Sequence, residues 1–276
     1  MAASSTVILV LPFGGVAMDT QPLLNISTGR WRKTPFIRGI IALIEALVLG
    51  IKSLLYSANI SMEEEEKEEK LSGRAVGGMV AGSLALAVAV FFVAPLFLTK
   101  TLDVYIESSI VFHLVEGFIR LAIFIAYLKV LTLSSSLRRI FAYHGAEHKA
   151  VNAYEAGVPL EVEVVREYNT AHMRCGTSFL FTVLIIAIIV FALIGRPSLW
   201  LMVLLRIVLI PVIAGLSYEI NQFGARHTGS GFVRAFLAPG LWLQKLTTRE
   251  PDDSQLEVAI SALQRTVEID QIEEAD

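Results

Sequence analysis

Long runs of apolar residues restrict how this chain can fold more than any other feature of its sequence. Four of them reach the length of about 20 residues at which an α-helix crosses the hydrocarbon core of a bilayer. The 276-residue chain is 54% hydrophobic and has a mean hydropathy of +0.62, which is more apolar than a typical soluble protein. The sequence therefore predicts an all-α integral membrane protein with about four spanning helices, at residues 75–98, 108–133, 178–195 and 199–220.

The first 74 residues divide into three segments. Residues 1–35 look irregular, residues 36–58 have the length and apolarity of a helix, and residues 59–74 form an acidic linker. A lipid-exposed span would not tolerate the charged stripe that runs along the 36–58 helix. We therefore expect this helix to be embedded against protein or to lie in the membrane interface. The stripe consists of three residues spaced by seven, Arg38, Glu45 and Lys52.

A polar stretch at residues 143–155 is the strongest candidate for chemistry. His144 and His148 are four residues apart, so on a helix both imidazoles face the same point. The pattern His-x-x-Glu-His matches, in inverted form, the zinc-peptidase motif in which two histidines bind the metal. Glu147 would then act as general base. The sequence thus predicts a divalent metal site, with zinc favoured, and a hydrolase-like activity.

A zinc site needs further ligands, and the cytoplasmic segment 134–177 offers two. His172 and the only cysteine, Cys175, follow the His-Glu-His motif by some two dozen residues. Glu219 is a third option, whereas Glu155 lies about 10 Å from His148 along a helix axis and is too distant for the same inner shell. Two simpler interpretations stay open: the histidines hydrogen-bond to their neighbours, and the cysteine is a small packing residue.

Charged residues also occur inside the predicted spans. His113, Glu116 and Arg120 share one face of the second span, and Arg206 lies within the last one. They form either an internal ion pair or part of a polar pathway. A pathway would support the alternative function, a non-enzymatic membrane protein such as a transporter or an assembly or regulatory factor. Mutual pairing in a closed bundle would count against it.

Charge asymmetry predicts the orientation. With four spans, residues 59–74, 134–177 and 221–276 share one side, and this side carries most of the loop arginines and lysines. The positive-inside rule predicts that this side faces the cytoplasm and that the chain lies in the cell membrane, inner or plasma. Residues 221–276 are expected to form interfacial and cytoplasmic helices. A stripe at helical spacing is expected to be a docking face, and it consists of Leu256, Ile260, Leu263 and Val267.

The expected partners follow from the same composition. A net charge of −3 argues against nucleic acid, and the apolar helices require a lipid bilayer. A membrane-proximal peptide or lipid-derived group is the expected substrate, and assembly into a homo-oligomer is left open. A single cysteine excludes an internal disulfide.

Several uncommon strings resemble the bacterial YqhQ-like family of membrane proteins, which is of unknown function and is described as predicted metal-dependent enzymes. The resemblance extends from about residue 36 to the C-terminus and implies a metal site at the histidines, without naming a reaction. The N-terminal Gly14–Met18 stretch departs from the family pattern. The strings that carry the resemblance are Phe36–Gly39, Tyr56–Asn59, Phe112–Arg120, Tyr143–Glu155, Cys175–Phe179, Ser217–Glu219, Pro239–Gln244 and Thr247–Asp253.

Overall fold

The computed structural model describes residues 4–10, 16–22, 34–64, 73–173, 175–227 and 229–275. The chain forms two compact units, and each combines segments that are distant in sequence. The first unit comprises Met1–Lys70, Thr132–Met173 and Leu241–Asp276. The second comprises Leu71–Leu131 and Arg174–Gly240.

The first unit opens with a β-hairpin, which the sequence did not predict. Strand β1 (Ser4–Val10) pairs antiparallel with β2 (Val16–Pro22), with Val7 opposite Asp19. The expectation of an irregular segment is therefore wrong for these residues, because a run rich in β-branched side chains favours a strand over a coil. The remaining secondary structure of the described chain is helical.

Four helices belong wholly to the first unit. The helix that carries the His-Glu-His motif packs against the C-terminal helix of the chain. Ala146, Ala150 and Ala153 form a small-residue face that lets Leu256 and Ile260 approach closely. This confirms the predicted docking face. The helices are α1 (Ile37–Glu64), α5 (Ser135–Glu155), α6 (Val162–Val165) and α11 (Asp253–Ala275).

Helix α1 replaces the expected 36–58 helix and extends into the acidic linker. It is not among the helices of the described chain that are long and apolar enough to cross a membrane. The charged stripe does not share one environment: Glu45 is buried, Arg38 is half-buried and Lys52 is exposed. Whether α1 lies in the interface or against protein stays a prediction.

The second unit contains the membrane candidates. Three helical stretches of the described chain qualify as spans, Arg74–Lys100, Ser109–Leu131 and Gly176–Ile194. A fourth is a bent pair with an angle of 49° where one straight helix was expected; Pro211, at the start of its second half, has no N–H for a continuous ladder. The helices are α2 (Gly73–Val88), α3 (Ala94–Lys100), α4 (Ser109–Leu131), α7 (Gly176–Ile194), α8 (Leu199–Val208) and α9 (Ile210–Arg226), and α10 (Gly231–Thr247) begins here and ends in the first unit.

Pro95 lies within the first span and does not end it, since the span runs to Lys100, two residues beyond the predicted end at residue 98. A π-helical turn, Ala89–Val93, joins α2 to α3 just before the proline. Proline has no N–H to donate to the carbonyl of Phe91, four residues earlier. The Arg120 Nε donates to that carbonyl instead, at 2.9 Å, so the helix continues to Lys100.

The charged residues within the spans form one closed ionic cluster. The Glu116 carboxylate accepts from Arg120 at 2.6 Å and from Arg206 at 3.0 and 2.5 Å. The His113 Nδ1 lies 3.2 Å from the same carboxylate, and both guanidinium groups lie over the Phe191 ring. Each charged side chain of the cluster is at most 2% exposed. The internal ion-pair interpretation is therefore confirmed, and the polar-pathway interpretation loses its support.

Replacing Glu116 tests how far the bundle depends on this cluster. Glu116→Gln leaves two buried arginines without their carboxylate, and breaking such a buried pair costs about 3–5 kcal/mol. We expect a large drop in the thermal unfolding temperature of the protein in detergent. Glu107→Gln, at an exposed glutamate of the preceding loop, is the control; equal unfolding temperatures for the two variants would contradict the proposed stabilising role.

The connection before α4 is held by Arg196, which lies between α7 and α8. Its guanidinium donates to Asp103 at 2.7 Å and to the carbonyls of Ile106 and Glu107 at 2.9 and 2.6 Å. Lys100 also donates to Asp103. These contacts, the Lys100 hydrogen bond foremost, outweigh desolvation and hold the pKa of the Asp103 carboxyl below its ordinary value of 3.8.

A pH-dependent stability difference should follow from Asp103. A carboxyl whose pKa is lowered on folding stabilises the fold above its unfolded pKa, and this contribution is lost as the pH falls through the lower, folded value. The wild type should therefore unfold at a higher temperature than Asp103→Asn at neutral pH. The two should converge toward pH about 3, below the ordinary pKa of aspartate. A difference that is the same at both pH values would show that the carboxylate charge is not involved.

Candidate metal centre

Helix α5 presents the motif histidines from a well-defined backbone. Its N-cap, Ser134, accepts a hydrogen bond from the Leu137 N–H, and Gly157 follows its C-terminus with a φ of 71°. A left-handed glycine there is the usual way to end a helix. His144 and His148 share one face, as the spacing predicts, and their ring centroids are 4.4 Å apart.

Hydrogen bonds fix the tautomer of each motif histidine. The His144 Nδ1 lies 2.8 Å from the Thr247 carbonyl oxygen, and the His148 Nδ1 lies 2.6 Å from that of Thr170. A carbonyl oxygen can only accept, so each Nδ1 carries the hydrogen. In the neutral imidazole the lone pair is then on Nε2. This is the arrangement that protein metal sites use to orient histidine ligands.

His172 joins the two motif histidines within the same unit. Its ring centroid is 5.7 Å from that of His148, and its Nε2 lies 3.5 Å from a carboxylate oxygen of Glu155. For a tetrahedral ion with Zn–N distances of about 2.0 Å, two ligand ring centroids lie about 5 Å apart. The observed centroid separations are 4.4 Å for His144 and His148 and 5.7 Å for His148 and His172, so they lie on either side of this value. Glu155 was expected at most to orient a neighbour, and its carboxylate adjoins His172.

Cys175 follows His172 by three residues, so the chain itself keeps their Cα atoms within about 10 Å. It is the N-cap of α7, and its buried sulfur accepts the Thr177 N–H at 3.4 Å. Cys175 belongs to the second unit, so its part in the centre stays the prediction made from the sequence. Imidazole nitrogen and thiolate sulfur are the donors that zinc prefers. The residues therefore fit the metal that the sequence predicts.

Two glutamates were also candidates. Glu147 is exposed on α5, next to the buried His148, and its role as general base stays a prediction. Glu219 is half-buried on α9 of the second unit, and its role as a ligand stays a prediction.

Side chains of α5 hold the segment that carries His172. The Lys149 Nζ donates to the Arg166 carbonyl at 2.6 Å, and the Asn152 amide donates to the carbonyls of Asn169 and Ala171 at 2.8 and 3.1 Å. Lys149 also pairs with Glu250. Contacts from α5, the helix that carries the other two histidines, therefore hold the segment of His172 in place.

The end of α10 supplies contacts with the histidines that were not predicted from the sequence. The Gln244 side chain bonds to the His172 backbone, and the Thr247 carbonyl accepts from His144. Gln244 directly follows the apolar string Leu241-Trp242-Leu243, and a polar side chain at that place was the available signal for its contact with His172. The role of Thr247 resides in its backbone, so no side-chain pattern could have indicated it.

These elements define a helical protein with three or four helices long and apolar enough to cross a membrane and with a cluster of histidines on its first unit. The chain belongs to the family described as protein of unknown function (DUF1385), whose model matches residues 34–269. It is 34% identical over 265 residues to the uncharacterized protein YqhQ of Bacillus subtilis (strain 168), which covers 92% of this chain and 82% of that protein. No solved structure matches the chain. The matches confirm the resemblance stated from the sequence.

Gly145, between the motif residues, allows the α10–α11 connection to lie against α5. A Cβ at this position would collide with the Arg249 carbonyl oxygen, and the Arg249 N–H donates to the Phe141 carbonyl at 2.9 Å. Only a residue without a side chain permits this contact between two backbones.

Gly145→Ala should therefore destabilise the protein by about 1–3 kcal/mol, the usual cost of overpacking. The loss would appear as a lower thermal unfolding temperature. The matched control is Gly50→Ala in α1, where an added Cβ meets nothing within 4 Å. If the two variants unfolded at the same temperature, the close contact at Gly145 would not matter for stability.

Proposed function

We propose that the protein is a metal-dependent membrane enzyme, hydrolase-like, with zinc as the favoured ion. The observation that carries this proposal is the pair His144 and His148, whose rings share one face of α5 and whose Nδ1 atoms each donate to a backbone carbonyl. This is how protein metal sites orient their histidine ligands. His172 lies beside His148 as a further nitrogen donor, and we include Cys175 as the sulfur donor.

The proposed roles divide between binding and proton transfer. The ion would supply a Lewis acid that polarises a carbonyl or phosphoryl oxygen of the substrate. Glu147, at the exposed edge of the histidine face, would accept a proton from the attacking water as the new C–O or P–O bond forms. It would return that proton to the leaving group as the scissile bond breaks, so no further reactant is required.

The proposed substrate lies at the membrane. Charge asymmetry supports a cytoplasmic position for the His-Glu-His segment, and only 12 residues separate His144 from the end of the Ser109–Leu131 span. We therefore propose a membrane-proximal peptide or a lipid-derived group as substrate, in a bacterial inner membrane. The alternative as a transporter is not supported, because Glu116, Arg120 and Arg206 pair with one another.

Elemental analysis of the purified protein tests the metal centre. We expect near-stoichiometric zinc in the wild type and loss of the zinc in His144→Ala and His148→Ala. The loss of metal affinity in these variants should exceed the roughly 10–100-fold that a change to an outer-shell partner causes. His227→Ala, at an exposed histidine of another element, should retain the metal. A wild type without zinc, iron or manganese would overturn the proposal.

The role of Glu147 needs a separate test, because its carboxylate is not proposed as a ligand. Glu147→Gln should keep the metal content of the wild type and lose turnover by about 10²–10⁴-fold, the usual contribution of general acid–base catalysis. The measurement is hydrolysis of a panel of membrane-associated peptide and ester substrates. Full activity in this variant would remove Glu147 from the mechanism.

A further inference from the structure

Gln244 is the most deeply buried polar residue near the histidines, yet it offers no ligand to a metal. Its side chain is 0% exposed. Its Oε1 accepts the His172 N–H at 2.9 Å, and its Nε2 donates to the His172 carbonyl at 2.8 Å. The two residues are 72 positions apart in sequence. One amide thus bonds to both backbone groups of one histidine, as a neighbouring β-strand would.

Such a pair of contacts fixes the backbone on which the His172 ring is mounted. A loop residue is otherwise free to rotate about φ and ψ, which would carry its ring away from the other ligands. Glu155 adjoins the ring itself. Backbone and ring of His172 therefore have separate restraints, one from α10 and one from α5.

Gln244 is itself held in place by the end of its helix. Its carbonyl accepts from the Thr248 N–H at 2.7 Å and from the Thr248 hydroxyl at 2.8 Å. One turn further on, the carbonyl of Thr247 accepts from His144. The last turn of α10 thus bears on two histidines that come from different segments of the chain.

We propose that Gln244 is the positioning residue of the metal centre: it holds the His172 backbone so that the imidazole can act as a ligand together with His144 and His148. This inference rests on the proposed metal-binding function and extends it to a residue that touches no metal. Metal affinity should consequently depend on Gln244, and only through His172.

The experiment is a double-mutant cycle between positions 244 and 172, measured as Co²⁺ and Zn²⁺ affinity of the full-length protein in detergent. Gln244→Met keeps the volume of the side chain and removes both hydrogen bonds. We expect it to weaken metal binding by about 10–100-fold, as loss of an outer-shell partner does. In a His172→Ala background the same substitution should cause no further loss, because the residue it acts on is gone.

Gln255→Met is the matched control. Gln255 is also a buried glutamine of the first unit, but it caps α11 by accepting the Asp252 N–H. It should lower stability without changing metal affinity or the visible spectrum of the Co²⁺-loaded protein. Gln244→Met should change that spectrum and speed hydrogen exchange at the His172 amide. If Gln244→Met fails to fold, Gln244→Asn, whose amide is too short to reach His172, replaces it in every measurement.

The outcomes separate the two proposals. A wild type that binds no metal overturns the proposed function and this inference together. A wild type that binds metal, with equal affinity and an unchanged Co²⁺ spectrum in Gln244→Met, overturns the role of Gln244 alone. Losses that add in the double variant would mean that Gln244 acts on stability and not through His172.

Discussion

The requirement that buried polar groups find partners within the protein accounts for the arrangement of the second unit. No water reaches the hydrocarbon of a bilayer, so each unmet group there is costly. Pro95 leaves the Phe91 carbonyl without its helical donor, and Arg120 provides one. The charge of Arg120 then needs a carboxylate, which Glu116 supplies and shares with Arg206. One ionic cluster thereby links the π-helical turn Ala89–Val93 to α4 and α8.

The same requirement orients the metal centre of the first unit. The half-buried imidazole of His144 and the buried imidazole of His148 donate from Nδ1 to the carbonyls of Thr247 and Thr170, which can only accept. These hydrogen bonds fix the tautomer of both rings and place the lone pair on Nε2. The contacts that stabilise the fold are therefore those that prepare the histidines for binding, which is how outer-shell partners work in metal proteins.

Much of the fold followed from local patterns, and the failures have physical causes. Apolar length predicted the spans Ser109–Leu131 and Gly176–Ile194, and a spacing of four predicted that His144 and His148 share a helix face. The first span runs two residues beyond its predicted end at residue 98, and Pro95 within it is tolerated because a distant arginine donates to the carbonyl that lacks its helical donor. The hairpin formed by β1 and β2 was missed, because Gly, Ser and Pro around a short apolar run resemble coil.

The sequence by itself determined the elements whose stability is local: helices long enough to cross a membrane, the His-x-x-Glu-His face, and the docking face of Leu256 and Ile260. Only the tertiary structure decided that Glu116 pairs with Arg206, which nitrogen of each motif histidine carries the hydrogen, and that Gln244 bonds to the His172 backbone. The reason is that each of these depends on a partner remote in the chain. His144 bonds to a carbonyl 103 residues away and Glu116 to an arginine 90 residues away, and no local pattern specifies such a pairing.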